Sequence, residues 1–430
     1  MCRATKIRDQ LLFASICTGI IIPNVLAFPF GIYDPRSFAM GGTGIAVADS
    51  NTAVLYNPSL LAQYKHFKEK TAKQAFSFPV VAGRASKTID DLSTINDKNY
   101  EGSIATAVNT YNANPTIANA DSALILVQEL QNDTSTVSNK LILADLSAAL
   151  VIGIPSKHAG GAFYFLQRGV GDGNVNITPT DTALLESYRE ALLFLSSGGT
   201  QGSAHPELFD GSGNLTNPIN SLTSNANARA AVITELGVSI SSEYKLFGST
   251  VALSIKPKTY KVKTFDYNST ITNNTVNQQS KDDNQWHLNL DLGATYNVNK
   301  NWRLGLVIKD LKAKDFQTAN GNTIKIKPQV RMGAAYFQPS YLLTADIDVI
   351  PNEGVFENNK SQYVMLGIEV PYSIFQFRAG YRYALQSKQS NEDGIFSAGL
   401  GIHSKSFYFD LAYSENSQQY GAGLMFGYIF

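Results

Sequence analysis

The last eleven residues alternate with period two. Tyr420, Ala422, Leu424, Phe426, Tyr428 and Phe430 fall on one face, and Gly421, Gly423, Met425, Gly427 and Ile429 on the other. The segment before it repeats the pattern, with Phe407, Phe409, Leu411 and Tyr413 opposed to Tyr408, Asp410, Ala412 and Ser414. From 374 to 385, Phe375, Phe377, Ala379, Tyr381, Tyr383 and Leu385 oppose Gln376, Arg378, Gly380, Arg382 and Ala384. Trp286, Leu288, Leu290, Leu292, Ala294, Tyr296 and Val298 likewise oppose His287, Asn289, Asp291, Gly293, Thr295 and Asn297. One face is apolar and ends in aromatics; the other carries charges, amides and glycines.

Followed through the chain, this periodicity predicts strands over 74–83, 144–154, 159–168, 232–244, 249–265, 285–298, 302–313, 324–337, 340–350, 362–371, 374–386, 394–404, 405–415 and 419–430. Fourteen is an even number. Connections after the even strands are very short, as in Asn299-Lys300-Asn301 and Pro339, and those after odd strands are longer, above all 84–143 and 169–231. Short turns at one end and long loops at the other match an all-β, 14-stranded antiparallel outer-membrane barrel rather than a secreted sandwich, which alternates with its apolar face inward. In hydrocarbon, only a closed sheet satisfies every strand donor and acceptor. The apolar face then meets outer-membrane lipid, and Asp346, Asp348, Glu369, Arg378, Arg382, Lys325 and Lys327 meet the lumen. In the long loops, Ile117 to Leu130 and Thr182 to Leu195 have helical spacing, with Leu184, Leu185, Tyr188, Leu192 and Leu195 recurring on one side.

The start of the chain sets the compartment. Arg3, Lys6 and Arg8 precede a largely apolar stretch from Leu11 to Leu26, and Val25-Leu26-Ala27 offers a cleavage site, so residues 1–27 read as a secretory signal peptide. Pro23 and Asn24 interrupt the run, which argues against a retained anchor. Cleavage removes Cys2 and Cys17, and with them any disulfide framework. It also removes Arg3, Lys6, Arg8 and Asp9, leaving 32 basic and 34 acidic residues. That balance predicts no nucleic-acid partner. A charge content of 16% with 21 Tyr and 23 Phe suits exported β-structure. The strand parity places both termini in the periplasm of a Gram-negative envelope.

Between leader and first strand, residues 28–73 do not alternate. They contain Tyr33-Asp34-Pro35-Arg36-Ser37-Phe38-Ala39-Met40-Gly41-Gly42-Thr43-Gly44 and then Val54-Leu55-Tyr56-Asn57-Pro58-Ser59-Leu60-Leu61-Ala62. This pair of motifs resembles the start of the FadL-like outer-membrane transporters of hydrophobic compounds, and within them the branch of TraF-type conjugal-transfer proteins. FadL-like chains usually carry Asn-Pro-Ala where Asn57-Pro58-Ser59 stands here. The resemblance implies that 28–73 is a lumen plug, with Gly41, Gly42, Gly44, Asn57, Pro58 and Ser59 as its plug or gating residues. Glycines where backbone passes close to a wall, and a turn at Asn57-Pro58, agree with that.

Pro79, Pro257 and Pro328 fall inside the expected strands and each removes a ladder donor, so each belongs at a bulge, rim or kink. In FadL-like proteins a strand kink opens the wall and lets apolar cargo leave sideways. The resemblance thus implies passive uptake of a hydrophobic, fatty-acid-like small molecule past a plug and out through the wall. The alternatives are an envelope component of a conjugative transfer system, with conjugation proteins as partners, or a purely structural barrel. In the barrels that this chain resembles, an aromatic-ended final strand is read by assembly machinery, so the resemblance implies barrel-assembly machinery as a further partner.

Enzymatic chemistry finds little support. Only His158 with Ser156 and His205 with Ser203 have the spacing of a shared strand face, and no third group orients either. Asp346 and Asp348 share a face, for which ion pairing with lumen cations is the commoner reason than a metal. Asp210-Gly211-Ser212-Gly213-Asn214 lacks the distal acidic ligand of a calcium loop, and Gly42-Thr43-Gly44 has Val47 where a dinucleotide loop needs its third glycine. The sequence therefore predicts no catalytic residue, no metal and no cofactor.

Overall fold

A computed structural model describes residues 29–63, 74–156, 159–246, 249–270, 277–356, 360–387 and 394–430. The expected leader 1–27, residues 28 and 64–73 of the expected plug, and His158 lie outside the described residues.

Fourteen strands make the wall. They are β1 (Ala75–Ser86), β2 (Leu141–Ile154), β3 (Ala159–Asn176), β4 (Asn225–Leu246) and β5 (Ser249–Thr270). β6 (His287–Asn297), β7 (Trp302–Lys309), β8 (Gln329–Phe337), β9 (Leu342–Asp348) and β10 (Lys360–Tyr372) follow. β11 (Phe375–Ser387), β12 (Ile395–His403), β13 (Phe407–Glu415) and β14 (Gln419–Ile429) complete the ring. Each strand pairs antiparallel with its sequence neighbours, and β14 pairs with β1 from Ala75↔Ile429 to Ser86↔Gln419. A closed meander of this kind leaves no unpaired wall edge, the arrangement that a strand needs where water cannot satisfy its backbone.

The alternation places side chains as the closed sheet requires. On β14, Gln419, Gly421, Gly423, Met425 and Gly427 are buried inside, whereas Leu424, Phe426 and Tyr428 are exposed outside. Ile240, Ile255, Phe377, Leu411 and Phe163 continue the exposed apolar exterior round the ring. Trp302 and Tyr336 pack with tilted rings, centroids 4.8 Å apart, near the short-turn end, where Tyr372, Phe407, Tyr428 and Phe430 are also exposed. Phe430 N–H donates to the Gln74 carbonyl at 2.9 Å, so the C-terminus and the entry to β1 share that end.

The loop end is built up by helices Lys87–Asp97, Tyr100–Ala113, Ile117–Val137 and Pro179–Ser196. Thr116 and Thr178 cap the last two, accepting from Asn119 N and Asp181 N at 3.2 and 3.1 Å, and Pro179 fits the first turn, where its missing N–H costs nothing. Ile104, Val127, Leu130, Tyr188 and Leu192 form their common core. The first two helices are not among the elements that the sequence predicts, although Tyr100, Ile104, Val108 and Tyr111 of the second recur at helical spacing and are buried.

One expected strand divides. In place of a continuous strand over 324–337, Thr323–Ile326 pairs with Lys314–Gln317 in a separate hairpin, and the wall resumes at Gln329. Lys325 consequently points to solvent and not into the lumen: Ile324 and Ile326 are the buried positions of that hairpin.

Residues 29–63 lie inside the ring and are almost wholly buried. They form short helices at Pro35–Ala39 and Ala53–Tyr56 and a 3-10 turn at Pro58–Ala62. Asp34 caps the first, accepting from Ser37 N at 3.0 Å, and Asn57 caps the last. The Pro29 carbonyl accepts from Arg168 Nη1 at 2.8 Å, and Pro29 borders a cavity of about 150 Å3 beside Lys87, Lys140 and Lys360 at the loop end. At the other end, Ser156 N–H reaches the Leu61 carbonyl at 3.2 Å beside the β2–β3 turn. The segment therefore descends the lumen from loop end to short-turn end. Its first described residue lies at the end opposite to Phe430.

Candidate functional site

The luminal segment is gripped at three places, each built on a residue type whose geometry leaves little choice. The first is the glycine run. Gly41 and Gly42 have φ of +72° and +98°, in the region that favours glycine. A Cβ on Gly41 would come within 2.7 Å of the Tyr381 carbonyl oxygen on β11, and one on Gly42 within 3.0 Å of Ile32 Cδ1. The turn aims the Gly44 and Ile45 N–H groups at Asp346 Oδ2 on β9, at 2.7 and 3.0 Å. Ser397 on β12 completes the seat, accepting from Gly41 N and donating to the Ala39 carbonyl, both at 3.0 Å. Asp348 faces a different partner, Arg331 Nε at 2.7 Å, with Asn352 Nδ2 at 3.2 Å.

The second grip is Asn57-Pro58-Ser59, all three fully buried. Asn57 Nδ2 donates to the carbonyls of Ile45 and Ala294 at 2.9 and 3.1 Å, tying the two motifs of the segment to each other and to β6. Its Oδ1 accepts from Ser59 Oγ at 2.7 Å, and Ser59 Oγ in turn meets Thr295 Oγ1. The hydroxyl that distinguishes Ser59 from alanine is thus fully used. Gly293 lies opposite, where any Cβ would collide with Asn57 Oδ1.

The third grip is ionic. Arg36 binds Glu369 on β10 bidentately, through Nε at 2.8 Å and Nη2 at 3.1 Å, and donates from Nη1 to the Val47 carbonyl. Glu369 also takes Arg378 Nε at 2.7 Å; Arg378 pairs with Asp410, and Asp410 with His403 Nε2 at 3.0 Å. A row of paired charges thus runs from the luminal segment through β10, β11 and β13. Arg382 is buried four residues further along the same face, its guanidinium over the Tyr363 ring at 4.9 Å.

Glu369, Arg378 and Arg382 are marked by their inward alternation, whereas Arg36, the luminal partner of Glu369, is not. Nor is a second cluster marked: Lys256 and Lys258 on β5 reach Asp291 at 2.7 and 3.0 Å, and Lys258 reaches Asp310 at 2.6 Å and Glu235 at 3.3 Å. Lys309 Nζ donates to Tyr33 OH at 2.7 Å above it, and Arg168 binds Asp145 through two 2.9 Å bonds. Lys256-Pro257-Lys258 carries a signal that could have found this cluster, since two lysines flank an outward proline on one strand.

The three prolines occupy distinct settings. Pro79 sits in the register shift between Ser77 and Val80 of β1. Pro257 faces a gap in the β4–β5 ladder, which passes from Gly237↔Lys258 to Ile240↔Ile255 without the pairs between. Pro328 precedes β8, outside the strand. Elsewhere, His205 is held by Glu190 and Glu207 at 3.0 and 2.9 Å, and Asp210 accepts from Ser212 N and Asn214 N in a side-chain-capped turn.

Outside the ring, opposite Asn57, the wall is hollowed. A depression of about 520 Å3 spans β4 to β7, lined chiefly by Ile240, Tyr244, Leu253, Ile255, Leu306 and Ile308. Its lining includes the small residues Ser241, Ser254 and Gly293, and Asn57 packs against Gly293 from within.

A family model described as F plasmid transfer operon, TraF, protein matches residues 54–348. No curated protein matches the sequence. Among solved structures, the Ralstonia pickettii toluene transporter TbuX is similar at 13% identity, over 94% of this chain and 100% of that chain, with a TM-score of 0.48. The Pseudomonas putida toluene transporter TodX is similar at 11% identity, over 94% and 99%, with a TM-score of 0.44. The translocator domain of the autotransporter NalP from Neisseria meningitidis shares 7% identity over 86% and 92%, with a TM-score of 0.30.

Proposed function

The chain belongs to the F plasmid transfer operon TraF protein family, and from that premise we propose that it is an outer-membrane barrel for passive uptake of hydrophobic small molecules. The long loops face outward, the short turns and C-terminus face the periplasm, and residues 28–73 act as a plug. TbuX and TodX are toluene transporters, and the cargo class proposed here is of that general kind.

The observation that carries this reading is the apolar depression in the wall over Asn57. A straight descent would take an apolar molecule past Lys256, Lys258, Asp291, Glu369 and Arg378, whose charges already satisfy one another and offer it nothing. Sideways exit avoids that path. At β4–β5 the ladder has a gap beside Pro257, the exterior is apolar, and only small side chains separate it from the Asn57-Pro58-Ser59 turn. Movement of that turn would join lumen and bilayer at this point, with Asn57, Ser59, Gly41, Gly42 and Gly44 as the gating residues.

Two variants test it in cells. Leu253→Trp fills the depression from outside and is expected to lower uptake of an apolar fluorescent probe several-fold while the barrel inserts normally. Asn57→Ala removes the bonds that hold the turn and is expected to change the uptake rate without unfolding the wall. Uptake equal to the parent in both variants refutes the route.

The family match favours one other reading, an envelope component of a conjugative transfer system. Deleting the gene in a donor strain and scoring mating separates the two: loss of transfer with apolar uptake untouched supports the second reading.

A further inference from the structure

The hairpin Lys314–Gln317/Thr323–Ile326 stands in the mouth of the barrel as an internal ligand. Among the described residues, its two strands pair with each other and with no wall strand. Its outward positions Lys314, Asp315, Gln317 and Lys325 are exposed, whereas Phe316, Ile324 and Ile326 are buried. A two-stranded hairpin is marginal by itself, so burial of those three side chains is what seats it.

They are buried against the inward faces of three wall strands. Val170 of β3, Ala231 of β4 and Tyr260 and Val262 of β5 form with them, and with Val355, a single apolar cluster. This is an apolar chamber directly above the charged part of the lumen: a small cavity under Ile326 is lined by Lys258, Lys309, Asp310 and Tyr33. The Phe316 ring is set edge-on between Tyr260 and His287, with centroids at 6.1 and 5.5 Å. Among the described residues, the root of the hairpin is anchored by Lys312, whose N–H and carbonyl bond Asn289 at 2.9 and 3.0 Å, and its other polar ties to the wall lie toward the tip. Asn320 N–H and Asn322 Nδ2 donate to Asp266 at 3.0 and 3.3 Å, and Thr264 Oγ1 reaches the Gln317 carbonyl at 3.5 Å.

We propose that this hairpin is a displaceable lid, and that the chamber of Val170, Ala231, Tyr260 and Val262 is the site where a compact apolar molecule binds in place of Phe316, Ile324 and Ile326. The cargo's flat apolar surface takes the slot of the Phe316 ring, and the lid exchanges one apolar contact for another, so neither state leaves the chamber wetted. The inference rests on the uptake reading for the class of cargo, but places its first binding site at the mouth rather than in the wall.

The test uses purified protein in nanodiscs and N-phenyl-1-naphthylamine as the probe, with empty nanodiscs subtracted. Both native cysteines lie in the expected leader, at Cys2 and Cys17, so engineered pairs are the only thiols of the mature chain. The pair Asp266→Cys with Asn320→Cys, or independently Thr264→Cys with Gln317→Cys, locks the hairpin when oxidised. Oxidation is expected to weaken probe binding at least tenfold, and reduction to restore it. Phe316→Ala, which removes the resident competitor, is expected to bind the probe several-fold more tightly than the parent. Equal binding by oxidised and reduced forms of both pairs, or no binding by the parent and Phe316→Ala, overturns the proposal. Lid-dependent binding in nanodiscs with no effect of the protein on uptake in cells retains the lid and instead contradicts the uptake reading.

Discussion

At the residue scale, the luminal segment depends on side chains that cannot be enlarged. Gly42 combines a φ of +98° with Ile32 and Met365 at 3.0 and 3.5 Å from any added Cβ. Gly42→Val is therefore expected to destabilise the seating of residues 29–63 by about 2 kcal/mol or more, from the left-handed backbone and the crowding together. Limited proteolysis checks this: the segment should be cut faster while the wall strands stay resistant. Cutting at the parent rate would show that the turn relaxes without strain. The glycine run and Asn57 were legible in the sequence because backbone geometry and turn chemistry are local. Asp346 was visible as an inward carboxylate, but its partners Gly44 and Ile45 were not, since they lie about 300 positions away and only closure of the ring brings them together.

At the scale of elements, one strand carries two opposite expectations. Phe377 is exposed on the outside of β11, and arginine there would face lipid, at roughly 2–4 kcal/mol near the midplane. Arg378, one position on, is completely enclosed and pairs with both Glu369 and Asp410. Alternation alone assigns Arg378 to a tolerant, wet lumen. The structure corrects this, because Arg378→Leu leaves the fully buried Asp410 with His403 as its remaining partner and is expected to cost about 3–5 kcal/mol. Heat-modifiability of outer-membrane fractions reads both; wild-type folding of either variant contradicts the register of β11. The same limit explains the hairpin within 324–337. Ile324 and Ile326 alternate as a wall strand does, and period two cannot distinguish a strand facing lipid from a hairpin folded into the mouth.

The loop helices give an expectation in pH. The hydrogen bond to Glu207 raises His205 above its ordinary value; partial burial opposes this, and Glu190 adds to it. A raised folded value means that the contact stabilises fully below about pH 6.5, the ordinary histidine value, and is lost as pH rises through the folded value. Amide exchange around 203–208 should therefore be slower at pH 5.5 than at pH 8.5, after correction for intrinsic rates. Slower exchange at the higher pH would mean that His205 is held neutral.

At the scale of the whole molecule, fourteen strands, their order and their inward and outward faces were readable because closure and the apolar exterior both impose period two over the full chain. The filling of the ring was not. Lys256, Lys258, Asp291, Asp310 and Glu235 each appear as an ordinary inward polar residue, and their mutual distances are set by strand stagger around the ring. With those clusters and residues 29–63 in place, the barrel is a wall around a packed interior. The wall's hydrogen bonds belong to the strands alone, so the barrel should survive loss of what it contains.

That separation makes one measurement decisive: single-channel conductance in planar bilayers of the parent and of a variant lacking residues 29–63, matched for insertion. The parent is expected to show little steady conductance, and the variant to insert equally well and conduct far more. A variant that inserts normally yet conducts no more than the parent would contradict the claim that this segment closes the barrel.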